Sequence, residues 1–301
     1  ESPNTVCDWQ TATLTVADAA DGHTRALSGE VLVWNLLVSN VGDRAYAGTG
    51  YDCENQSLDL VSFPLDGSAP TVLVEDQSSF FGLAGLVEIA DRGRLLHPML
   101  LLGQDRSFES SELWSTALDG SGSQTLVDDL MSNAQSCMFF IPFERVSEQY
   151  VLYIRREVRD LAAIDLDSGK SWTLVEELYG MFYAASPDGG QVLTYYPEHT
   201  AQQLHITPVG GGPGRVLLDD VASSPNRIAW TASGERVLAL QGVAVNAPRT
   251  LLAIDPATAH QEILADDVPP QTGWATAFVP HPGGWLVAVE KSDGLFLLAI
   301  Q

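Results

Sequence analysis

The sequence predicts an all-β fold, a six-bladed β-propeller of four-stranded antiparallel blades. Three observations carry this. A module of apolar strand, short polar turn and second apolar strand recurs along the chain. Its copies begin at Leu60, Leu113, Leu161, Leu204, Leu251 and Leu297, 43 to 53 residues apart. Another strand pair, joined mostly by a glycine-containing turn, precedes each copy. Four strands at a period of about 40–50 residues is the signature of propeller blades.

The strands can be lettered A to D from the axis outward. Strands A and B come from 32–50, 85–102, 139–154, 182–196, 227–242 and 276–290. Their turns, such as SPDG and TASG, contain a glycine that supplies the positive φ of a tight hairpin. Strands C and D form the recurring module, as in LAAIDLDSGKSWTLVEEL from Leu161. The blades then occupy 30–76, 82–129, 136–177, 181–220, 226–267 and 275–301, within a single domain, 1–301. The last blade lacks strand D. TATLTV at 11–16, followed by ADAAD, reads like a TLVDD strand. The N-terminal strand is therefore expected to pair with the last blade, closing the ring and removing two open edges. Pairing with the last blade of a neighbouring subunit instead would give an extracellular filament.

Composition sets the partners. Of the 301 residues, 45% are hydrophobic, which is globular rather than disordered. No run approaches the roughly 18 apolar residues of a membrane span. The net charge is −24, from 39 acids against 15 bases. Nucleic acid and anionic membrane both need basic patches and are not expected partners. A protein or other macromolecule with basic groups suits the surface better.

The acids are placed periodically. Glu75–Asp76, Asp128–Asp129, Glu176–Glu177, Asp219–Asp220 and Asp266–Asp267 each follow a strand D. That position starts the loop to the next blade, at the end that also carries the B–C loops. Two readings stand. The acids accept hydrogen bonds in a turn and end the outer strand with charge. Alternatively they form an acidic face for a cationic partner. Ca²⁺ takes six to eight oxygens, which neighbouring acids could supply, but no D-x-D-x-D-G loop is present and no dedicated cofactor is expected. Arg155, Arg156 and Arg159 are the only basic cluster. They either neutralise nearby acids or hold an anionic group.

The turn at Ser186–Gly189 (SPDG), with TASG and HPGG as diverged versions and strands ending in LDG or DSG, resembles the TolB-type propellers, also called WD40-like β-propeller repeats. The resemblance spans nearly the whole chain. It implies a secreted or periplasmic binding or scaffolding propeller and brings no catalytic residues. The opening ESPNTVCDW lacks the charged and apolar regions of a leader, as in a chain whose leader has been removed.

Cysteines number three. Cys53, in the first B–C loop, and Cys137, near the third strand A, share one expected face. A disulfide between them would contribute about 4–5 kcal/mol in the chain-entropy model. Cys7–Cys53 is the rival pairing.

Enzyme signatures are lacking. The six histidines show no H-E-x-x-H spacing, and no G-x-S-x-G occurs. Ser186 reads as a turn residue, and GGGPG at 210–214 is a turn with no helix after it. The expected function is non-catalytic binding or scaffolding. An enzyme with a site in the axial channel is the alternative.

Overall fold

The structure is a computed structural model. It describes the chain except residues 1–10, 19, 33–35, 40, 53–56, 79–85, 103–107, 131–142, 156–157, 159, 178–182, 198–201, 222–227, 232, 243–248, 269–275, 282–283, 292–293 and 301. The chain falls into two compact units, residues 1–144 with 153–157, and residues 145–152 with 158–301.

Strands β1 (Thr11–Ala17) and β2 (Thr24–Leu32) form a two-stranded sheet. Five four-stranded antiparallel meanders follow, each with its strands in chain order. The first is β3 (Leu36–Val38), β4 (Arg44–Asp52), β5 (Ser57–Pro64) and β6 (Thr71–Ser78). The second is β7 (Val87–Ile89), β8 (Arg94–Leu102), β9 (Phe108–Ala117) and β10 (Ser123–Val127). The third is β11 (Phe143–Arg145), β12 (Tyr150–Ile154), β13 (Leu161–Asp165) and β14 (Ser171–Val175). The fourth is β15 (Tyr183–Ala185), β16 (Gln191–Pro197), β17 (Gln202–Pro208) and β18 (Arg215–Leu218). The fifth is β19 (Ile228–Trp230), β20 (Val237–Gln241), β21 (Arg249–Ile254) and β22 (Gln261–Val268). A three-stranded sheet, β23 (Thr276–His281), β24 (Gly284–Lys291) and β25 (Gly294–Ile300), ends the chain.

The middle strands are buried on both faces. Val151–Ile154 and Leu161–Ile164 are at most 2% exposed, so their sequences run apolar without alternation. In the second unit the fourth and fifth sheets share a core. Leu193, Leu204, Ile206 and Leu218 meet Ile228, Trp230, Val237 and Ile254. Each such Leu, Ile or Val contributes about 1.5–3 kcal/mol on burial. The Trp230 Nε1–H donates to the Ala184 carbonyl at 3.0 Å, which satisfies the one polar group of that side chain. In the first unit Tyr46, Leu58, Leu60 and Leu73 meet Leu86 and Leu95.

The A–B turns are built alike. In the fourth sheet the Gly189 N–H donates to the Ser186 carbonyl, and the Gln191 N–H to Ser186 Oγ. Thr231 with Gly234 repeats this in the fifth sheet, and the Gly42 N–H donates to the Ser39 carbonyl in the first. The three glycines have φ of 68°, 75° and 71°. SNVG at 39–42 is thus a third member of the turn family that SPDG heads.

The expected closure by the N-terminal strand is not found. β1 pairs with β2, from Thr11 opposite Leu32 to Ala17 opposite Thr24. The reason is local. The turn between them is fastened by Asp18, whose N–H donates to the His23 carbonyl and whose Oδ1 accepts the Ala20 N–H at 2.7 Å. A short hairpin costs far less loop entropy than pairing with a strand near residue 300. A strand so held in its own chain is also not the free donor that strand exchange requires.

β2 has the seat of an outer strand instead. Its Arg25 donates to the carbonyls of Leu65 and Asp66, in the C–D turn of the first four-stranded sheet. Arg215, on outer strand β18, donates likewise to Pro256 and Ala257 in the C–D turn of the sheet that follows. Leu27 and Val31 of β2 pack on Ala47, Val61 and Phe63.

Candidate functional site

The recurring acid pairs follow a register break. Leu161 faces Val175, but Ala162 faces Thr173, so Leu174 is an extra residue in β14. The same break recurs in all five four-stranded sheets, always where the module's first leucine meets strand D. Leu60 faces Val74, Leu113 faces Val127, Leu204 faces Leu218 and Leu251 faces Ala265. The extra residues are Leu73, Leu126, Leu174, Leu217 and Leu264. Each is a β-bulge, which bends and twists its strand.

The bulge explains the composition of the motif. Neighbouring residues in a regular strand point to opposite faces. Here Leu217 and Leu218 are 3% and 2% exposed and belong to one core cluster. Leu73 and Val74 pack in one cluster, and Leu264 and Ala265 pack against another. Two apolar residues turn inward together, and the two acids follow, just past the strand in β10, β14 and β18 and within it in β6 and β22.

The second acid then turns the chain. Asp76, Glu177 and Asp220 have φ of 49°, 49° and 58°, in the left-handed region. Their strand neighbours secure two of them. The Asp76 N–H donates to Asp59 Oδ1 at 3.0 Å, and the Glu177 N–H donates to Asp160 Oδ1 at 3.0 Å. Asp59 and Asp160 each directly precede the module's first leucine. In the fourth sheet that place holds Gln203, whose Nε2 donates to Asp219 Oδ1 at 2.7 Å.

In Asp76 and Glu177 the backbone is spent on this turn, whereas Asp219 also lends a carboxylate oxygen. Glu75, Asp76, Asp128, Glu176, Glu177, Asp219, Asp220 and Asp266 are exposed, and Asp129 is half-buried. Asp267 ends the motif in β22, and its side chain lies outside the described residues. The ion pairs Arg44–Asp43, Arg92–Asp91 and Arg236–Asp255 involve other carboxylates. The acids therefore sit at equivalent ends of their sheets. Among the described residues no group of three or more His, Cys, Asp or Glu side chains could hold a metal.

A second set of carboxylates lies at the opposite ends, in the hairpin turns, and is spent on structure. Asp66, Asp119, Asp165 and Asp255 accept backbone N–H bonds two residues on, at 2.7–2.9 Å. All four lie below the usual carboxylate range, Asp66 and Asp255 chiefly through those bonds, Asp119 chiefly through the Ser121 side chain and Asp165 chiefly through the Ser168 N–H. Asp188 of SPDG is lowered too, first by the Ser186 hydroxyl, which donates to it at 2.5 Å. Ser186 is thereby tied into its turn.

Arg155 is half-buried and pairs by an isolated bridge with Leu130, just after Asp128–Asp129. Arg156, Arg159, Cys7, Cys53 and Cys137 lie outside the described residues. No described helix is long and apolar enough to cross a membrane.

Three groups carry no signal in the sequence. The buried Tyr46 hydroxyl donates to Glu88 Oε1 at 2.7 Å, between the first and second sheets. His97 is fully buried with Nε2 2.8 Å from Thr116 Oγ1, and burial lowers it to about 4. Arg249 is 7% exposed.

No family model and no curated protein matches the chain. Solved structures do. A puromycin-hydrolyzing peptidase from Mycobacterium tuberculosis is 13% identical with a TM-score of 0.51, over 94% of this chain and 47% of that one. The present chain thus matches about half of that peptidase. TolB from Acinetobacter baumannii is 11% identical with a TM-score of 0.39, over 95% and 77% of the two chains. An oligogalacturonate lyase solved with manganese is 13% identical with a TM-score of 0.46, over 94% and 78%. At these identities the likeness is one of fold alone, an all-β chain of successive antiparallel sheets.

Proposed function

We propose that this chain is a non-catalytic binding or scaffolding module that works outside the cytoplasm. It meets a basic macromolecular partner with the acid-bearing ends of its sheets. One observation carries the reading: Asp76, Glu177 and Asp220 turn the chain with their backbone, while the side chains of Glu75, Asp76, Asp128, Glu176, Glu177, Asp219, Asp220 and Asp266 are exposed. A chain of net charge −24 then presents carboxylates at the same place in sheet after sheet. Such a surface speeds encounter with a cationic partner and rejects anionic ones. The effect is screened beyond about 8 Å at physiological salt, so the contact must be close. The reading requires no cofactor.

The test is titration of a lysine-rich peptide against two proteins. One is the wild-type chain. The other carries Glu176→Gln, Glu177→Gln, Asp219→Asn and Asp220→Asn. Affinity should fall at least tenfold in the variant and fall with salt in the wild type. Glu235→Gln, an exposed acid in an A–B turn, should change nothing. Equal binding by wild type and variant would refute the acidic contact. Turnover of small glycosides or peptides by the purified chain would refute the non-catalytic assignment.

A further inference from the structure

Arg249 opens β21 directly opposite Val268, which is fully buried. Opposed residues of an antiparallel pair share a face, and that face is the apolar cluster of Leu238, Leu240, Leu251 and Ala253. The arginine stem packs on backbone: a Cβ added at Gly242 would stand 3.2 Å from Arg249 Cγ. Among the described residues Nε and Nη1 of Arg249 are buried without a hydrogen-bond partner, and no ion pair includes it. Burial alone lowers its proton affinity.

This is an expensive arrangement for the empty protein, because a desolvated guanidinium needs an anion. The adjoining sequence does not supply one. Residues 243–248, which lead into Arg249, and 269–275, which follow Val268, contain neither Asp nor Glu. The nearby acids do not pair with it either: Asp219 Oδ1 accepts from Gln203 Nε2 at 2.7 Å, and among the described residues no ion pair joins Asp219 or Asp220 to Arg249.

We propose that Arg249 is the anchor of an anion site that takes a small free monocarboxylate. Either unpartnered donor can give a charge-assisted hydrogen bond to a carboxylate oxygen. The charge of the ligand is set by the surroundings. The exposed Asp219 and Asp220 side chains stand beside the strand end at Gln241–Gly242, and the whole chain is strongly acidic. Both repel a dianion more than a monoanion, so acetate-like ligands are favoured over phosphate. Arg249, not the acid side chains, holds the ligand, so the site is tested separately from the basic-partner reading.

The test is thermal unfolding of the full chain in sodium acetate, sodium phosphate and sodium chloride at matched ionic strength, with Arg249→Met and Arg249→Lys beside the wild type. Acetate should raise the wild-type Tm saturably, by about 2–4 °C over chloride. Phosphate should raise it less. Arg249→Met should lose the acetate effect, and in chloride it should melt no lower than wild type, since it removes an uncompensated charge. Arg249→Lys should keep a smaller acetate shift. Calorimetric titration of acetate into the wild type should show saturable binding, which needs no variant to fold. No acetate shift, an equal shift in Arg249→Met, a larger shift with phosphate, or an Arg249→Met protein less stable in chloride would each overturn the site.

Discussion

Leu217 and Leu218 are consecutive in β18, yet both side chains enter the same core cluster, at 3% and 2% exposure. A regular strand would send one of them to the opposite face. The bulge between the pairs Leu204–Leu218 and His205–Val216 allows both inward. The repeated motif is therefore a packing device first: an apolar pair turned in, an acid pair left out.

The left-handed second acid depends on its capping carboxylate. Asp160 is 9% exposed and its bond to the Glu177 N–H is partly buried, whereas the Asp59–Asp76 bond is exposed. Water can replace a lost exposed partner but not a buried one. Asp160→Ala should lower stability by about 1–3 kcal/mol and Asp59→Ala by less than about 1 kcal/mol, read by urea unfolding.

Gly189 and Gly234 occupy the same turn with similar φ, 68° and 75°, so backbone strain on substitution is the same. Their surroundings differ. A Cβ at Gly189 would lie 2.0 Å from the Val146 carbonyl oxygen, while one at Gly234 would lie 3.5 Å from Pro187 Cδ. Gly234→Ala should cost about 1 kcal/mol. Gly189→Ala should cost several-fold more or prevent folding, measured by Tm and soluble yield.

His97 makes stability fall in mild acid. Its ordinary value of 6.5 applies unfolded, and burial lowers it to about 4 in the folded chain. Between those values the unfolded chain binds the extra proton, so stability rises with pH across that window and is lost as pH falls through it. The loss from pH 7 to pH 4 is on the order of 3 kcal/mol. His97→Gln should flatten this slope in urea midpoints measured against pH. The turn carboxylates Asp66, Asp119, Asp165, Asp188 and Asp255 act below it. Their folded values are lowered, so their contribution is present above the ordinary 3.8 and is lost on further acidification.

The Tyr46 hydroxyl gives Glu88 a donor inside the protein, where both are at most 3% exposed. Burial is the main cause that raises the phenol above its ordinary value. Tyr46→Phe keeps the ring and removes the donor, which should cost about 1.5–3 kcal/mol in urea unfolding.

Much of the fold was legible because blades repeat. The leucine at the start of each C strand and the glycine turns marked out five four-stranded sheets. β1 and β2 were misread because TRALSGEVL in β2 has few apolar residues and few buried ones, so only TATLTV looked like an outer strand. The acid pairs were visible, but their cause was not. A bulge is a register relation, and Asp59 and Asp160 act on residues 17 positions away. Arg249 was invisible for a similar reason: a single arginine before a strand announces neither its burial nor its lack of a partner.

The most direct measurement compares urea unfolding of Leu217→Ala, Leu218→Ala and the double change Asp219→Asn with Asp220→Asn. Each leucine truncation should cost about 2–5 kcal/mol. The double change should stay within about 0.5 kcal/mol of wild type, because Asn retains the acceptor for Gln203 and tolerates positive φ. A silent leucine, or a large loss on neutralising the acids, would contradict the account.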